Sequence, residues 1–184
     1  MNLTMTSEKW TLLFVNLVLG AVLIYSYYHY ITKGGVSVKT LWGKAYSVRN
    51  FYTLSLILCV VSYLVMSLFI LFKTPNSRQN LALISNLVVI NVLIITISML
   101  WLPLTLLYVK EKDSKSLTML GVLLVLFIVA MSAYKQVNLV KALSPENNNC
   151  AQTMKTAAIV GAGYFFFHTF FLDFLGWSYG FFSK

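Results

Sequence analysis

The stretch FYTLSLILCVVSYLVMSLFILF, residues 51–72, decides what kind of fold this chain can adopt. It contains no charged side chain from its first position to its last. A helix needs about 20 apolar residues to cross the roughly 30 Å hydrocarbon layer of a bilayer. The stretch is therefore long enough and apolar enough to form a membrane-spanning helix.

The composition of the whole chain indicates the same class of protein. Of its 184 residues, 59% are hydrophobic and only 10% are charged, whereas soluble domains carry about 25% charged residues. The mean hydropathy is +0.78. A soluble core of this size cannot enclose so much apolar side-chain surface, so the sequence predicts an integral membrane protein.

Four further stretches are similar to residues 51–72 in length and apolar character. The sequence therefore predicts an all-α fold, a polytopic five-transmembrane-helix bundle that forms one membrane domain over residues 1–184. The five predicted helices cover residues 10–31, 51–72, 81–108, 117–143 and 156–177.

The net charge of +9 comes from lysines and arginines in the short connectors. Basic connectors suit contact with a lipid bilayer and its anionic headgroups, and no polar domain is present that could bind nucleic acid. Lys33, Lys39, Lys44 and Arg49 follow the first predicted helix, whereas Lys9 alone precedes it. Because cytoplasmic loops are rich in Lys and Arg, we expect the N-terminus outside and the C-terminus in the cytoplasm; the organelle stays open.

Two ionisable residues, His168 and Asp173, lie in the last predicted helix. A charged side chain at the bilayer centre costs about 2.5–3.5 kcal/mol. In a regular α-helix, five residues turn through about 500°, which leaves the two side chains about 140° apart. We therefore expect each residue to find its partner on another helix. His168 either lines a ligand pocket or is a neutral core histidine, and Asp173 either serves a site or is a shallow carboxylate near the helix end.

The third predicted helix is polar enough to be the natural partner of His168 and Asp173. Cross-helix hydrogen bonds of this kind measure about 0.6 kcal/mol on average. They indicate either structural packing or a polar cavity lined by the third and fifth helices. The candidate ligand- or pore-lining residues of the third helix are Asn86, Asn91, Thr96, Ser98 and Trp101. Pro103 lacks a backbone donor, which predicts a helix kink.

Small residues mark a candidate packing site in the fifth predicted helix. Small side chains four positions apart let helix backbones approach closely, either within the chain or between subunits. The residues of this site are Ala157, Ala158, Gly161 and Ala162.

The sequence offers little that points to catalysis. Cys59 and Cys150 show neither a CxxC pair nor a metal-ligand spacing. No motif of a hydrolase, a metalloprotease or a nucleotide-binding protein occurs in the chain. We therefore predict no catalytic residue, no metal site and no cofactor.

Three classes of function remain. The first is an accessory or assembly subunit of a larger membrane complex, which suits short connectors and few ionisable groups. The second is a small channel or a ligand-binding or transport bundle, homo-oligomeric if it is a channel. The third is a lipid-modifying membrane enzyme that uses His168 and Asp173. The first class is favoured, so the expected partners are lipid, its anionic headgroups and another protein or a second copy.

Overall fold

The protein is an all-helical membrane bundle, as the sequence predicts. The computed structural model describes residues 5–110 and 115–183, and all regular structure within these ranges is helical. Within these ranges, five helical spans are long and apolar enough to cross a membrane. The predicted five-helix fold is confirmed, and the composition of these helices suggests an integral membrane location. The orientation across the membrane stays a prediction.

The five spans contain nine helical segments in the described ranges. The first span is one helix, the second begins with two short segments, and the last is divided by a π-helix. The segments are α1 Ser7–Lys33, α2 Val38–Trp42, a 3₁₀-helix Gly43–Val48, α3 Arg49–Lys73, α4 Arg78–Lys110, α5 Lys115–Ala142, α6 Asn149–Phe167, a π-helix His168–Trp177 and α7 Ser178–Phe182.

The last span is longer at both ends than the predicted range 156–177. It begins at Asn149, because the Asn148 side chain caps the helix by accepting a hydrogen bond from the Ala151 N–H at 2.8 Å. It continues through the π-helix to Phe182. Hydropathy marks only the apolar part of a helix, whereas the cap decides where the helix begins.

The spans pack in an order that differs from their order in the chain. α4 lies between α1 and α5, α5 also packs against α6, and α6 packs against α3. The main core cluster includes Leu12, Met66, Phe69, Ile84, Leu87, Val140 and Ala162. Only 6% of the most apolar stretch of α1 is buried, compared with 28% or more in each other span. α1 is therefore a peripheral helix held mainly by α4.

Side chains from two spans, Lys9 of α1 and Asn80 of α4, meet backbone groups at the end of the bundle that carries the N-terminus. The buried Lys9 ammonium donates to the Thr74 carbonyl at 2.6 Å. The buried Asn80 amide donates to the carbonyls of Pro75 and Ser144, both at 3.0 Å, and accepts from the Ser144 N–H at 3.0 Å. These bonds satisfy backbone groups that the α3–α4 and α5–α6 connections leave without helical partners.

The opposite end is closed by a contact between the first connector and the end of the last span. Gly43 has a positive φ of 53°, and a Cβ there would lie 3.0 Å from the Gly180 carbonyl oxygen. A Cβ on Gly180 would lie 2.9 Å from the Ala45 Cβ. Two glycines thus allow the 3₁₀-helix and α7 to touch.

The predicted packing site in the last span lies against α3. A Cβ on Gly161 would lie 2.8 Å from the Ser62 carbonyl oxygen, so the two backbones are nearly in contact. Ala158 and Ala162 are buried beside it, whereas Ala157 is exposed. The sequence left open whether these residues pack within the chain or between subunits, and in this structure three of the four pack within it.

We predict that Gly161→Ala destabilises the protein by about 1–3 kcal/mol, the usual cost of overpacking a close contact. The matched control is Gly163→Ala in the same helix, because a Cβ at Gly163 meets nothing within 4 Å. Alanine favours helix over glycine by about 1 kcal/mol, so the control keeps or raises stability. Thermal unfolding in detergent micelles measures both, and equal midpoints would contradict the close α3–α6 contact.

Candidate functional site

The π-helix His168–Trp177 brings the two ionisable residues of the last span together. In a π-helix each N–H bonds to the carbonyl five residues earlier, so residues five apart lie one turn above each other. His168 Nε2 and Asp173 Oδ1 are 3.5 Å apart. The expectation that these residues are about 140° apart and unable to pair is therefore wrong, because it assumed a regular α-helix.

Tyr52 of α3 inserts its side chain against the centre of the π-helix. Its hydroxyl donates to the Leu172 carbonyl at 2.9 Å. A Cβ on Gly176 would lie 2.6 Å from the Tyr52 hydroxyl oxygen and 3.1 Å from the Phe171 carbonyl oxygen, so only glycine leaves room for the phenol. A side chain inserted into the backbone ladder is a recognised cause of helix irregularity. Tyr52 and Gly176 together account for the position of the π-helix in the last span.

The other ring nitrogen of His168 is bound by α3. Ser55 Oγ lies 2.8 Å from His168 Nδ1 and 2.7 Å from the Tyr164 hydroxyl. Ser55 and His168 are only 2% and 5% exposed. The predicted partner of His168 was the third span. The actual partners are Ser55 on the second span and Asp173 on the same span as His168.

Asp173 is the more exposed residue of this cluster. Its side chain is 35% exposed, whereas that of His168 is 6% exposed. The carboxyl group lies within Coulombic range of Tyr27 on α1 and of Tyr52 and Cys59 on α3. Asp173 therefore faces the region between α1 and α3, and the predicted neighbour Lys184 lies outside the described residues.

Two tryptophans, Trp101 and Trp177, pack in the same core cluster as Tyr52. The Trp101 and Trp177 rings contact each other edge to face at 5.1 Å, and Tyr27 packs against Trp101 at 5.7 Å. Both indole N–H groups are buried and have no hydrogen-bond partner among the described residues. An unpaired buried donor costs about 1–3 kcal/mol, so two neighbouring ones mark a place where an acceptor would be favoured.

A second polar group of residues crosses the bundle nearer the N-terminal end. The Tyr63 hydroxyl donates to Asn16 Oδ1 at 2.6 Å, and Asn91 Nδ2 donates to the same oxygen at 3.1 Å. Gln136 Nε2 donates to Asn91 Oδ1 at 2.7 Å. Gln136 Oε1 is buried and has no partner in the part of the chain that the structure describes. Asn91 thus joins α1, α4 and α5.

The remaining candidates on α4 do not reach His168 or Asp173. Within the single chain, Asn86 and Thr96 are exposed on the outer face of α4, and the Thr96 hydroxyl bonds back to the Val92 carbonyl at 2.6 Å. Asn86 and Asn91 are five residues apart on a regular α-helix, so only one can face the interior. Asn86 and Thr96 therefore do not face the interior of the single chain, and their role as pore-lining residues stays a prediction.

Ser98 and Pro103 have backbone roles in the structure. The Ser98 carbonyl accepts a hydrogen bond from the Tyr27 hydroxyl at 3.0 Å, which fixes α1 on α4. Pro103 lies inside α4, which continues as a helix to Lys110. The kink at Pro103 stays a prediction.

The two polar groups are connected along one face of α3. Tyr52, Ser55, Cys59 and Tyr63 are spaced three or four residues apart, so they form a single stripe. The stripe is about 16 Å long at 1.5 Å per residue, roughly half of the hydrocarbon layer. We call these four residues, with Asn16, His168 and Asp173, the polar seam.

The geometry of the seam limits the chemistry it can perform. Among the described residues, no group of three or more His, Cys, Asp or Glu side chains could hold a metal ion. Ser55, His168 and Asp173 have the order of a nucleophile, a base and an orienting acid. Ser55 is buried and shares its hydroxyl with Tyr164, however, so no substrate carbonyl can reach it in this conformation.

Comparison with known proteins leaves the family open. No protein-family model matches the chain, and neither a curated protein nor a solved structure matches it. The functional argument therefore depends on the residues of the seam.

We predict that Tyr52→Phe lowers the free energy of unfolding by about 0.5–1.5 kcal/mol, the usual contribution of one hydrogen bond. The change removes only the hydroxyl that binds the Leu172 carbonyl. Tyr179→Phe in the same region is the control, because Tyr179 is exposed and its hydroxyl has no partner in the described residues. Denaturation in detergent compares the two, and an equal loss in both would show that the Tyr52 bond does not support the π-helix.

Proposed function

We propose that this protein is a ligand-binding or transport bundle in which the His168–Asp173 pair binds a small polar solute. The observation that carries the proposal is the ten-residue π-helix that places these residues 3.5 Å apart inside a membrane span. π-helical distortions occur frequently at functional sites. Ionisable residues in a membrane span are rare and usually serve a ligand, an ion or a proton.

The charge of the site indicates the class of solute. Asp173 is the acidic side chain of the seam in the described ranges. It is also the more exposed member of the pair. A carboxylate in a medium of low dielectric constant binds a cation or a hydrogen-bond donor more strongly than in water. The free indole N–H groups of Trp101 and Trp177 add donors for an acceptor on the same solute. We therefore propose a solute with a positive or donating group and an acceptor.

The packing of α1 supports a route to the site. α1 touches α3 only sparsely, so the wall of the seam next to α1 is loosely packed. A side-chain hydrogen bond joins Tyr63 to Asn16 across this wall, near the N-terminal end. Towards the other end, Asp173 keeps part of its side chain exposed.

We predict that a cysteine at position 173 reacts with a small, positively charged, water-soluble thiol reagent. The variant Asp173→Cys is made with Cys59→Ala and Cys150→Ala, so that no other thiol is present. The matched control is Phe171→Cys in the same background, because Phe171 lies two residues away on an exposed apolar surface. In lipid vesicles the residue-173 thiol reacts at least tenfold faster, because thiolate forms where water enters and not in hydrocarbon.

The rate is measured by mass spectrometry of the labelled protein, with reagent added from each side of the vesicle membrane in turn. Faster labelling from one side identifies the entrance of the seam. Equal, slow labelling of both thiols from both sides would overturn the proposal, because the seam would then be closed to solutes.

An accessory subunit of a membrane complex is the second candidate, and the outer face of α4 supports it. Asn86 and Ser85 are exposed there among apolar side chains such as Val89. A polar side chain that faces lipid is more stable when it hydrogen-bonds to a neighbouring helix. We propose under this alternative that Asn86 binds a helix of another subunit.

We predict for this candidate that mild detergent extracts the protein together with a partner chain, and that Asn86→Leu releases the partner. The matched control is Val89→Leu, which changes a neighbouring exposed residue on the same helix without removing a polar group. Native mass spectrometry measures the mass of each extracted species. A monomer for the unmodified protein would exclude the complex, and equal release by both variants would exclude the role of Asn86.

A further inference from the structure

A groove separates the C-terminal ends of α1 and α4, at the end of the bundle opposite the N-terminus. Its volume is about 320 Å³. It does not border the polar seam, since it lies on the other side of the α1–α4 contact made by Tyr27 and Ser98. Its lining residues are His29, Tyr30, Lys33, Gly34, Pro103, Leu106, Leu107 and Lys110.

The rim of the groove is basic. Lys33 and Lys110 come from different helices and are both exposed, and His29 lies one turn before Lys33. Among the residues that the structure describes, none of those that line the groove is acidic. In the part of the chain that the structure describes, neither ammonium group makes an ion pair, since the one such contact joins His168 and Asp173. The charged side chains that line the groove in the described ranges are therefore all basic.

The shape of the groove depends on Gly34. Its N–H bonds to the Tyr30 carbonyl at 2.9 Å and ends α1. A Cβ at this position would lie 2.9 Å from Leu106 Cδ1. Glycine thus lets the end of α1 approach α4, and the approach brings the Lys33 and Lys110 stems to opposite sides of one depression.

The position of the groove suits a molecule with an anionic head and an apolar body. Pro103, Leu106 and Leu107 form an apolar floor on the membrane side, and both lysines lie where their apolar spans end. Headgroup phosphates lie at this level of a bilayer, and lysine is a common phosphate binder through its point charge. We propose that the groove is a binding site for a phosphate group, with Lys33 and Lys110 as its two cationic ligands. The phosphate is supplied by an anionic phospholipid or by free phosphate in solution.

The test counts phospholipid molecules bound to the purified, full-length protein by native mass spectrometry. The probes are phosphatidylglycerol, which has an anionic headgroup, and phosphatidylcholine, which has a zwitterionic one. The double variant Lys33→Gln, Lys110→Gln is expected to bind phosphatidylglycerol about 30-fold more weakly, or roughly fivefold for each lysine. Phosphatidylcholine binding stays unchanged.

The matched control removes the same charge elsewhere. Lys135→Gln, Lys141→Gln changes two exposed lysines of α5 near the opposite end of the bundle. Equal loss of phosphatidylglycerol in both double variants would overturn the proposal, because net charge alone would then explain binding. The variant Gly34→Leu keeps both lysines but fills the space against Leu106, so it also weakens binding if the groove itself is the site.

Inorganic phosphate distinguishes the two sources. If the lipid is the ligand, phosphate at millimolar concentration leaves the bound phosphatidylglycerol in place. If free phosphate is the ligand, it displaces the lipid from the unmodified protein and binds the Lys33→Gln, Lys110→Gln variant more weakly in equilibrium dialysis. The proposal is contradicted if the unmodified protein binds neither phosphatidylglycerol nor phosphate more strongly than the Lys33→Gln, Lys110→Gln variant does.

Discussion

The bond from the Tyr52 hydroxyl to the Leu172 carbonyl is the interaction on which the site depends. Within a membrane each backbone polar group has to be satisfied by the protein itself. A phenol that binds a helical carbonyl from outside therefore allows the last span to leave the regular α-helical pattern without losing that group. The π-helix that results changes the rotation per residue, and this change places Asp173 over His168. Without the insertion, the two ionisable residues would face different parts of the bundle.

The polar residues of the bundle are arranged in two groups because each has to bond across helices. Asn16, Tyr63, Asn91 and Gln136 form one group across four helices, and Ser55, Tyr164, His168 and Asp173 form the other. The first is almost saturated and holds the bundle together. The second contains a partly exposed carboxylate and adjoins two indole donors without acceptors. Structural packing accounts well for the first group and poorly for the second.

The sequence predicts the spans well and the site poorly, for a definable reason. Hydropathy locates apolar helices because burial in lipid depends on composition over some twenty residues. Side-chain directions depend on the local helix type, and no local signal in HTFFLDFLGW indicates a π-helix. The cause lies more than a hundred positions earlier at Tyr52. The regular spacing of Tyr52, Ser55, Cys59 and Tyr63 was a usable signal, since it marks one polar face on a span that is otherwise apolar.

The peripheral position of α1 connects the seam with the basic groove. α1 carries Asn16 and Tyr27, which face the seam, and Lys33, which borders the groove. Cross-helix hydrogen bonds in membranes contribute about 0.6 kcal/mol each on average, so the few bonds between α1 and α3 hold these two helices together only weakly. A phosphate bound by both Lys33 and Lys110 would tie α1 to α4 at one end, because its two ligands lie on the two helices. Such a ligand would stabilise the α1–α4 contact while leaving the sparse α1–α3 contact, and hence access to Asp173, unchanged.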